Sequence, residues 1–295
     1  MALTARGVRG ARVLSAIGVL ALGCNRPEPP APALSRSPGS ATAPSSPPSL
    51  AASATPSAAA SAAESPGLMP LEPGTDFAPL EVEGFLPAVV SLPSGATEPR
   101  PVAVALHGNF DRPEWQCEVW RGVLKTRGFI VCPRGVPRRD VPKSADRWEY
   151  RSTKAVADEV DAALAALGAR FGAHVAPGPV LFIGFSLGAI YGSPLVQKHP
   201  ERFPRVVLVE GGQKAWTRGT AAAFVSKGGQ RLFIGCGQAG CLDQARRLGP
   251  SLEKAGLLVR SGGSAKAGHT YDGEVAAAVA TDLEWLLDGD PRWQP

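Results

Sequence analysis

The sequence predicts an α/β fold in which helices cover both faces of a mostly parallel central sheet. Short apolar runs bounded by Gly and Pro recur along residues 75–295, and such runs are typical of buried strands. The segments between them carry apolar residues at helical spacing, which is typical of helices packed on a sheet. Because ligands bind at the carboxyl ends of the strands in such sheets, functional residues are expected in the loops that follow them.

The predicted strands are recognised by their apolar runs and by the turn residues that end them. The run 102–106 is closed by His-Gly, the run 179–185 continues into Ser-Leu-Gly, and the run 205–209 is followed by Glu-Gly-Gly. The first apolar segment of the domain is expected to form a strand or a hairpin. Strands are predicted at 82–92, 102–106, 128–135, 179–185, 205–212, 230–237 and 257–263.

The predicted helices are recognised by their apolar faces and caps. The helix over 152–172 can be capped by Ser152 or Thr153. One face of this helix consists of Val156, Val160, Leu164, Leu167 and Phe171. One face of the last helix, over 273–289, consists of Val275, Val279, Leu283 and Leu286. Further helices are predicted at 187–200, 215–228 and 242–256.

The first 23 residues predict an export signal. Three arginines precede an apolar run of about ten residues, which is too short to span a bilayer. The run ends in Leu-Gly-Cys. A small residue before a cysteine resembles the lipobox of bacterial lipoproteins, which implies lipidation at Cys24. The alternative is plain secretion with cleavage nearby.

Residues 24–74 are rich in Pro, Ala and Ser and hold almost no large apolar side chain. Such a composition cannot offset its ordering entropy, so it predicts a disordered, partly polyproline tether. Behind a lipidated Cys24, this tether would anchor the domain at 75–295 to a membrane, facing the periplasm or the cell exterior. Without the signal, 28 basic and 26 acidic residues remain, a balance that does not indicate a nucleic-acid partner.

The cysteine count agrees with export. An even number remains besides Cys24, as expected for disulfides in an oxidising compartment. Cys236 and Cys241 flank a short loop and pair most simply with each other, which leaves Cys117 to pair with Cys132. Crossed pairing and free thiols are the alternatives. No histidine stands near either pair, so neither a metal site nor a cofactor is expected.

Residues 180–194 join an apolar run to a helical segment through Gly-Phe-Ser-Leu-Gly, with Ser186 at its centre. The bare G-x-S-x-G pattern is weak in a chain with 34 glycines, because chance produces it often. A strand before it and a helix after it indicate a nucleophile elbow. His-Gly-Asn at 107–109 and Gly-His-Thr at 268–270 complete a layout that resembles the α/β-hydrolase fold over about 80–290.

The resemblance implies a role for each of these residues. Ser186 would attack an acyl carbon, and His269 would accept its proton and later deliver it to the leaving group. The backbone amides of Leu187 and Asn109 would donate to the oxyanion. His269 is chosen as the base because it follows the last strand, where the fold places that residue.

The acid of the site has two candidates. Many relatives carry it after the strand at 230–237, where the first carboxylate is Asp243, at a position suited to a helix N-cap. The other candidate is Glu210, which ends the preceding strand. A carboxylate that ends a buried strand is costly unless it is paired, and a histidine that becomes cationic would be such a partner, so Glu210 is favoured. The loop 236–241 would then have no catalytic duty.

These assignments predict a serine hydrolase that cleaves a small carboxylic ester through an acyl-enzyme. A peptidase or acyltransferase could use the same residues, and a tethered binding module could keep the fold without turnover. The connection 213–229 is short, which predicts a short cap and an open site. Trp115, Trp120, Trp148 and Trp216 either line an acyl pocket or anchor loops. The sequence leaves the oligomeric state open.

Overall fold

The computed structural model describes residues 68–71 and 77–294. The predicted signal peptide over 1–23, Cys24 and most of the predicted tether lie outside the described residues. Within the described ranges, no helix is both long and apolar enough to span a bilayer.

Residues 68–71 contact the folded domain. The amide of Gly95 donates to the carbonyl of Leu71 over 2.9 Å, and the amide of Leu71 donates to the carbonyl of Ala96 over 3.3 Å. The Leu71 side chain packs against the core. The contacts of the domain therefore begin upstream of residue 75, where the sequence predicts its start.

The described residues form ten strands, which are β1 (Phe77–Leu80), β2 (Ala88–Ser91), β3 (Val102–Leu106), β4 (Phe129–Cys132), β5 (Val136–Pro137), β6 (Trp148–Glu149), β7 (Leu181–Phe185), β8 (Arg205–Val209), β9 (Arg231–Cys236) and β10 (Leu258–Gly263). Eight of them form one central sheet in the order β1-β2-β4-β3-β7-β8-β9-β10, and β5 and β6 form a separate hairpin. Strand β2 pairs antiparallel with both β1 and β4, and all other neighbours in the central sheet pair in parallel.

Helices cover both faces of this sheet, so the predicted fold class is confirmed. The helices are α1 (Pro113–Leu124), α2 (Thr153–Phe171), α3 (Leu187–Lys198), α4 (Arg218–Ser226), α5 (Ala239–Glu253), α6 (Gly273–Thr281) and α7 (Leu283–Leu287). Buried residues of α2 to α5 belong to one core cluster, and those of α1, α6 and α7 belong to the other.

The alternation of strand side chains divides the core into these two layers. In β3, Val104 and Leu106 point into the first cluster, whereas Ala103 and Ala105 point into the second. This period of two is what a strand buried on both faces requires. Because β3, β7 and β8 are neighbouring parallel strands, their carboxyl ends meet at one edge of the sheet, where the loops after them lie together.

Several elements differ from the sequence prediction. Helix α1, strand β1 and the β5–β6 hairpin were not predicted. The last helix is interrupted at Asp282 and forms two pieces, although all four residues of its predicted apolar face are buried. Helix α5 begins at Ala239 with Gln238 as its N-cap, so the expectation that Asp243 caps this helix was wrong.

Both predicted disulfides are present. Cys117 of α1 is bonded to Cys132 of β4, and Cys236 of β9 is bonded to Cys241 of α5. Disulfides are typical of proteins from oxidising compartments, which favours a periplasmic or extracellular location.

Candidate active site

Ser186 occupies the sharp turn between β7 and α3. Its φ of 49° and ψ of −112° are rare for a residue with a Cβ, and its amide donates to the carbonyl of Val209 over 2.8 Å. The turn also requires a close approach to β3, because a Cβ at Gly188 would lie 2.6 Å from the carbonyl oxygen of His107. The elbow geometry predicted from the sequence is therefore present, and it raises the serine hydroxyl above the edge of the sheet.

A line of hydrogen-bonding contacts joins Ser186 to His269 and Glu210. The Nε2 atom of His269 lies 2.8 Å from Ser186 Oγ. Its Nδ1 atom lies 3.3 Å from Glu210 Oε2. The imidazole ring is about half exposed, at 48%, and its inner side contacts the Phe185 ring at a centroid distance of 5.0 Å. The structure thus brings together three of the predicted site residues.

Glu210 is a buried carboxylate held by backbone donors. Its side chain is 3% exposed, and its Oε1 atom accepts hydrogen bonds from the amides of Gly237 and Gln238, the second over 2.9 Å. Its own amide donates to the carbonyl of Gly235 over 3.0 Å, and its φ of 51° is rare for a residue with a Cβ. Among the described residues, no Lys or Arg lies within ion-pairing distance of this carboxylate. Its side-chain partner is the imidazole of His269.

The loop between β9 and α5 supports both Glu210 and the histidine loop. The Cys236–Cys241 disulfide closes this loop, and the Gly268 amide donates to the Gly237 carbonyl over 2.8 Å. A Cβ at Gly237 would lie 2.0 Å from the Gly268 carbonyl oxygen, so the close approach needs glycine. The loop was expected to have no catalytic duty, and its contribution in the structure is two backbone amides that orient the Glu210 carboxylate.

Two other features of this region have structural explanations. Asp243 lies inside α5, is exposed and pairs with Arg246 at 3.5 Å. The sulfur atoms of Cys236 and Cys241 lie within 4.8 Å of a Glu210 oxygen, a grouping that resembles a metal-ligand set. Because the two sulfurs are bonded to each other, they are not thiolates and cannot serve as that set.

The loop at 107–112, called here the oxyanion-side loop, lies on the other side of Ser186. The carbonyl of His107 accepts from the amide of Gly188 over 3.1 Å, which joins this loop to the elbow. Asn109 has its side-chain oxygen hydrogen-bonded to Arg138. Among residues 77–294, the amides of Asn109 and Leu187 donate to no protein acceptor. Both of these predicted donors are therefore free for a ligand.

Asp111 fixes the oxyanion-side loop, and sequence reasoning missed it. The residue is 6% exposed and accepts four hydrogen bonds. Its Oδ2 atom accepts from the Gly108 amide and from Gln116 Nε2, both over 3.2 Å. Its Oδ1 atom accepts from the Arg112 amide over 2.8 Å and from Tyr271 Oη over 3.2 Å. Tyr271 follows His269 by two residues, so Asp111 ties the oxyanion-side loop to the histidine loop.

The state of the neighbouring titratable groups agrees with this role. Burial and the Asp111 charge raise the pKa of Tyr271, so its hydroxyl remains protonated and donates. Burial lowers the pKa of His107, whose ring stacks on Tyr150 at 4.4 Å. Its Nε2 atom contacts the Arg134 carbonyl at 2.8 Å. His107 is accordingly a buried support for the loop.

The four tryptophans named from the sequence divide into two groups. Trp120 and Trp216 are fully buried and belong to the core, so they anchor their segments and do not line an acyl pocket. Trp115 and Trp148 lie at the surface near the oxyanion-side loop. The guanidinium of Arg147 stands over the Trp115 ring at 4.7 Å, and the guanidinium of Arg134 stands over the Trp148 ring at 4.9 Å.

Two clefts flank the oxyanion-side loop and Glu210. The first has a volume of about 260 Å³ and is lined by Leu86, Pro137, Arg138, Pro142, Lys143, Asp146, Arg147 and Trp148. The second has a volume of about 340 Å³ and is lined by Ile190, Glu210, Gly211, Gly212, Gln213, Lys214, Ala215 and Gln244. The connection that follows Glu210 holds a 3₁₀ turn (Gln213–Ala215) and the nine-residue helix α4.

Comparisons with known proteins give structural likeness only. No protein-family model matches the chain, and no curated protein matches it. MPT51 (FbpC1) of Mycobacterium tuberculosis is similar with a TM-score of 0.49 and 14% identity, over 72% of this chain and 98% of that chain. A carboxylesterase of Bacillus cereus is similar with a TM-score of 0.47 and 17% identity, over 69% of this chain and 94% of that chain. A ferulic acid esterase is similar with a TM-score of 0.47 and 17% identity, over 72% of this chain and 95% of that chain. Likeness at this level leaves the activity of this chain open.

Proposed function

We propose that this protein is a serine hydrolase that cleaves carboxylic esters through an acyl-enzyme. The observation that carries the proposal is the line of contacts from Ser186 Oγ to His269 Nε2, at 2.8 Å, and from His269 Nδ1 to Glu210 Oε2, at 3.3 Å. A nucleophile, a base and an orienting acid at these distances are what nucleophilic catalysis by serine requires.

The proton movements follow from this order. Glu210 accepts from Nδ1–H of His269, which leaves Nε2 with a lone pair directed at the serine hydroxyl. When Ser186 attacks the ester carbon, the hydroxyl proton passes to Nε2, and the imidazolium is stabilised by the buried Glu210 charge. The same proton then passes to the departing alcohol. A water molecule repeats the sequence on the acyl-enzyme and releases the carboxylic acid.

The backbone amides of Leu187 and Asn109 are assigned as the donors that stabilise the negative charge developing on the carbonyl oxygen of the substrate. Leu187 begins α3, so its amide also lies at the positive end of a helix dipole. Preorganised donors of this kind contribute about 3–4 kcal/mol each to transition-state stabilisation. The free state of both amides in the described structure supports this assignment.

Labelling with a fluorophosphonate and hydrolysis of p-nitrophenyl butyrate test the proposal. We expect the wild type to label and to turn over, and Ser186→Ala to lose labelling and at least about 10⁴-fold in kcat. Ser226→Ala, an exposed serine at the end of α4, is the matched control and should label normally. A wild-type protein that neither labels nor hydrolyses any ester would support the alternative of a binding module.

We propose further that a lipid on Cys24 anchors this domain to a membrane on the exported side. The signal-like segment before Cys24 and the Pro-, Ala- and Ser-rich segment after it support this placement. Expression of the full chain should give a membrane-associated protein, and Cys24→Ser should release it or stop its processing. Equal membrane partitioning and unchanged mass in the variant would contradict lipid anchoring.

A further inference from the structure

The cleft of about 260 Å³ beside the oxyanion-side loop has apolar walls and a cationic rim. Leu86, Pro137, Pro142 and the indole of Trp148 provide the apolar surface. A whole-ligand pocket usually measures about 300–1,000 Å³, so this cleft has room for one group of a substrate rather than for a complete ligand. The residues that line the cleft therefore influence which substrate groups can bind there.

Hydrogen bonds connect the walls of this cleft directly to the proposed oxyanion donors. Arg138 contacts the side chain of Asn109. The amide of Phe110 donates to the Trp148 carbonyl over 3.0 Å, and the amide of Trp148 donates to the Asp111 carbonyl over 3.1 Å. A group bound in the cleft would consequently sit beside the loop that faces the reacting carbonyl.

Two of the cations at this rim are not neutralised by carboxylates. Arg138 pairs with Asp140, and this hydrogen bonding lowers the pKa of the Asp140 carboxyl, which keeps it ionised beside the guanidinium. Asp146 pairs with Arg112. By contrast, Lys143 and Arg147 have no carboxylate partner among the described residues.

The surrounding sequence makes the same region basic. Residues 134–151 hold six Lys or Arg and three Asp or Glu. The whole chain without its predicted signal holds 28 Lys or Arg and 26 Asp or Glu. The positive surplus of the exported chain is therefore concentrated on the segment that forms this cleft. Asp146 also lines the cleft but is paired with Arg112, so the excess charge of the rim is positive and attracts anionic ligands.

We propose that this cleft binds a carboxylate-bearing apolar or aromatic group of the ester substrate, with Lys143 and Arg147 as the specificity-determining residues. The ring or chain of that group lies against Trp148 and the prolines, and its carboxylate meets the two cations. The assignment to a substrate rests on the ester-hydrolase function proposed above. The binding preference itself does not require turnover.

Binding is tested first, on the full chain, by titrating its tryptophan fluorescence with 3-phenylpropionate and with the neutral 3-phenylpropionamide. We expect the acid to bind at least tenfold more tightly than the amide, and the preference to weaken as salt is added. In Lys143→Gln/Arg147→Gln the preference should fall below threefold. Equal binding of acid and amide to the wild type would overturn the proposal.

A matched control and a milder variant keep this test sharp. Arg218→Gln/Lys227→Gln removes two exposed cations on and just after α4, outside the cleft, and should keep the preference for the acid. Lys143→Gln alone changes an exposed side chain and should reduce the preference at least threefold even if the double variant folds poorly. A preference unchanged in Lys143→Gln and in a folded double variant would place the anion elsewhere.

Kinetics then test whether the cleft serves the reaction. The ratio of kcat/KM for the p-nitrophenyl monoester of glutaric acid to that for p-nitrophenyl butyrate should fall at least tenfold in Lys143→Gln/Arg147→Gln and stay constant in the α4 control. A protein that binds 3-phenylpropionate as expected but hydrolyses neither ester would contradict the proposed function and leave the binding site standing. A ratio unaffected by the double variant would refute the role in substrate choice.

Discussion

Glu210 and Asp111 are buried carboxylates on opposite sides of Ser186, and they are satisfied by different means. Glu210 has two backbone amides on one oxygen and the imidazole of His269 on the other. Asp111 has neutral donors on both oxygens, two from the backbone and two from Gln116 and Tyr271. Neither carboxylate has a Lys or Arg partner among the described residues.

The difference supports the proposal that Glu210 takes part in the reaction, whereas Asp111 holds two loops in place. Burying a carboxylate is costly unless its charge is matched by donors or a cation. For Asp111 the match is complete in the resting state, so its role is to hold two loops together. For Glu210 the match improves when His269 becomes cationic, which is the condition for stabilising a reaction step.

The largest effect that separates the two carboxylates is expected from Glu210→Gln. Glutamine keeps the size of the side chain but removes the charge that stabilises the imidazolium, so kcat for p-nitrophenyl esters should fall by about 10²–10⁴. Asp243→Asn, which alters the other acid weighed from the sequence, should stay within about twofold, since exposed substitutions away from special features have small effects. An inactive Asp243→Asn beside a nearly normal Glu210→Gln would reverse the assignment.

A smaller effect is expected from Asp111→Asn. An amide cannot accept all four hydrogen bonds, so the oxyanion-side loop loses its fixed position, and kcat should fall by about 10–100-fold. KM should change less than threefold, because the donors act mainly in the transition state. Tyr271→Phe breaks only the link between the loops and should cost less than Asp111→Asn. Steady-state kinetics of both variants provide the check, and a change confined to KM would contradict the idea.

A third effect concerns the Cys236–Cys241 disulfide, which closes the loop that contacts Glu210. Cys236→Ser/Cys241→Ser should lower the free energy of unfolding by about 2 kcal/mol, the entropy expected for so short a loop. Because the loop holds Gly237 and Gln238 against Glu210, kcat should also fall by about 3–10-fold. Denaturant unfolding and kinetics measure the two quantities. Cys117→Ser/Cys132→Ser is the control, since it should change stability without a comparable loss of kcat.

The smallest effect comes from a buried carboxylate of a third kind, Asp290, which is paired with arginine. Burial alone would raise its pKa, but the hydrogen bonds and charge of Arg292 and the charge of Arg205 lower it overall. The native state therefore favours the ionised form. Its stabilising contribution is fully present above the ordinary carboxyl pKa and is lost as the pH falls through the lowered value.

Asp290→Asn should accordingly reduce the free energy of unfolding by about 1–3 kcal/mol at pH 7, and by progressively less as the pH is lowered below the ordinary carboxyl pKa. Ester hydrolysis at pH 7 and moderate temperature should be unchanged. Denaturant midpoints across this pH range give the measurement. A constant difference between variant and wild type would show that the ion pair is not its source.

The sequence predicted the features of the site that depend on residue type and chain order. Ser186 was recognisable because a strand and a helix enclose it, and Glu210 because a carboxylate at the end of a buried strand needs a partner. The amides of Gly237 and Gln238 could not be predicted, since backbone donors exist at every position and only the fold aims them. Asp111 escaped because its partner Tyr271 is 160 residues away.

The missed helix α1 did have a local signal. Pro113 stands at its first position and Glu114 follows in the first turn, which is a common way for a helix to begin. Recognition of this start would have placed Asp111 just before a helix. It would also have assigned Trp120 to the inner face of that helix, where the structure shows it in the core.

Ser186 and Glu210 both have a positive φ, 49° and 51°, which residues with a Cβ normally avoid. Each such residue stores about 1–3 kcal/mol that the rest of the fold must offset. If the proposed function holds, greater stability and catalysis are opposed demands at these two positions. A selection for thermal resistance alone would favour glycine at position 186, and the more stable protein that emerged would lack the proposed nucleophile.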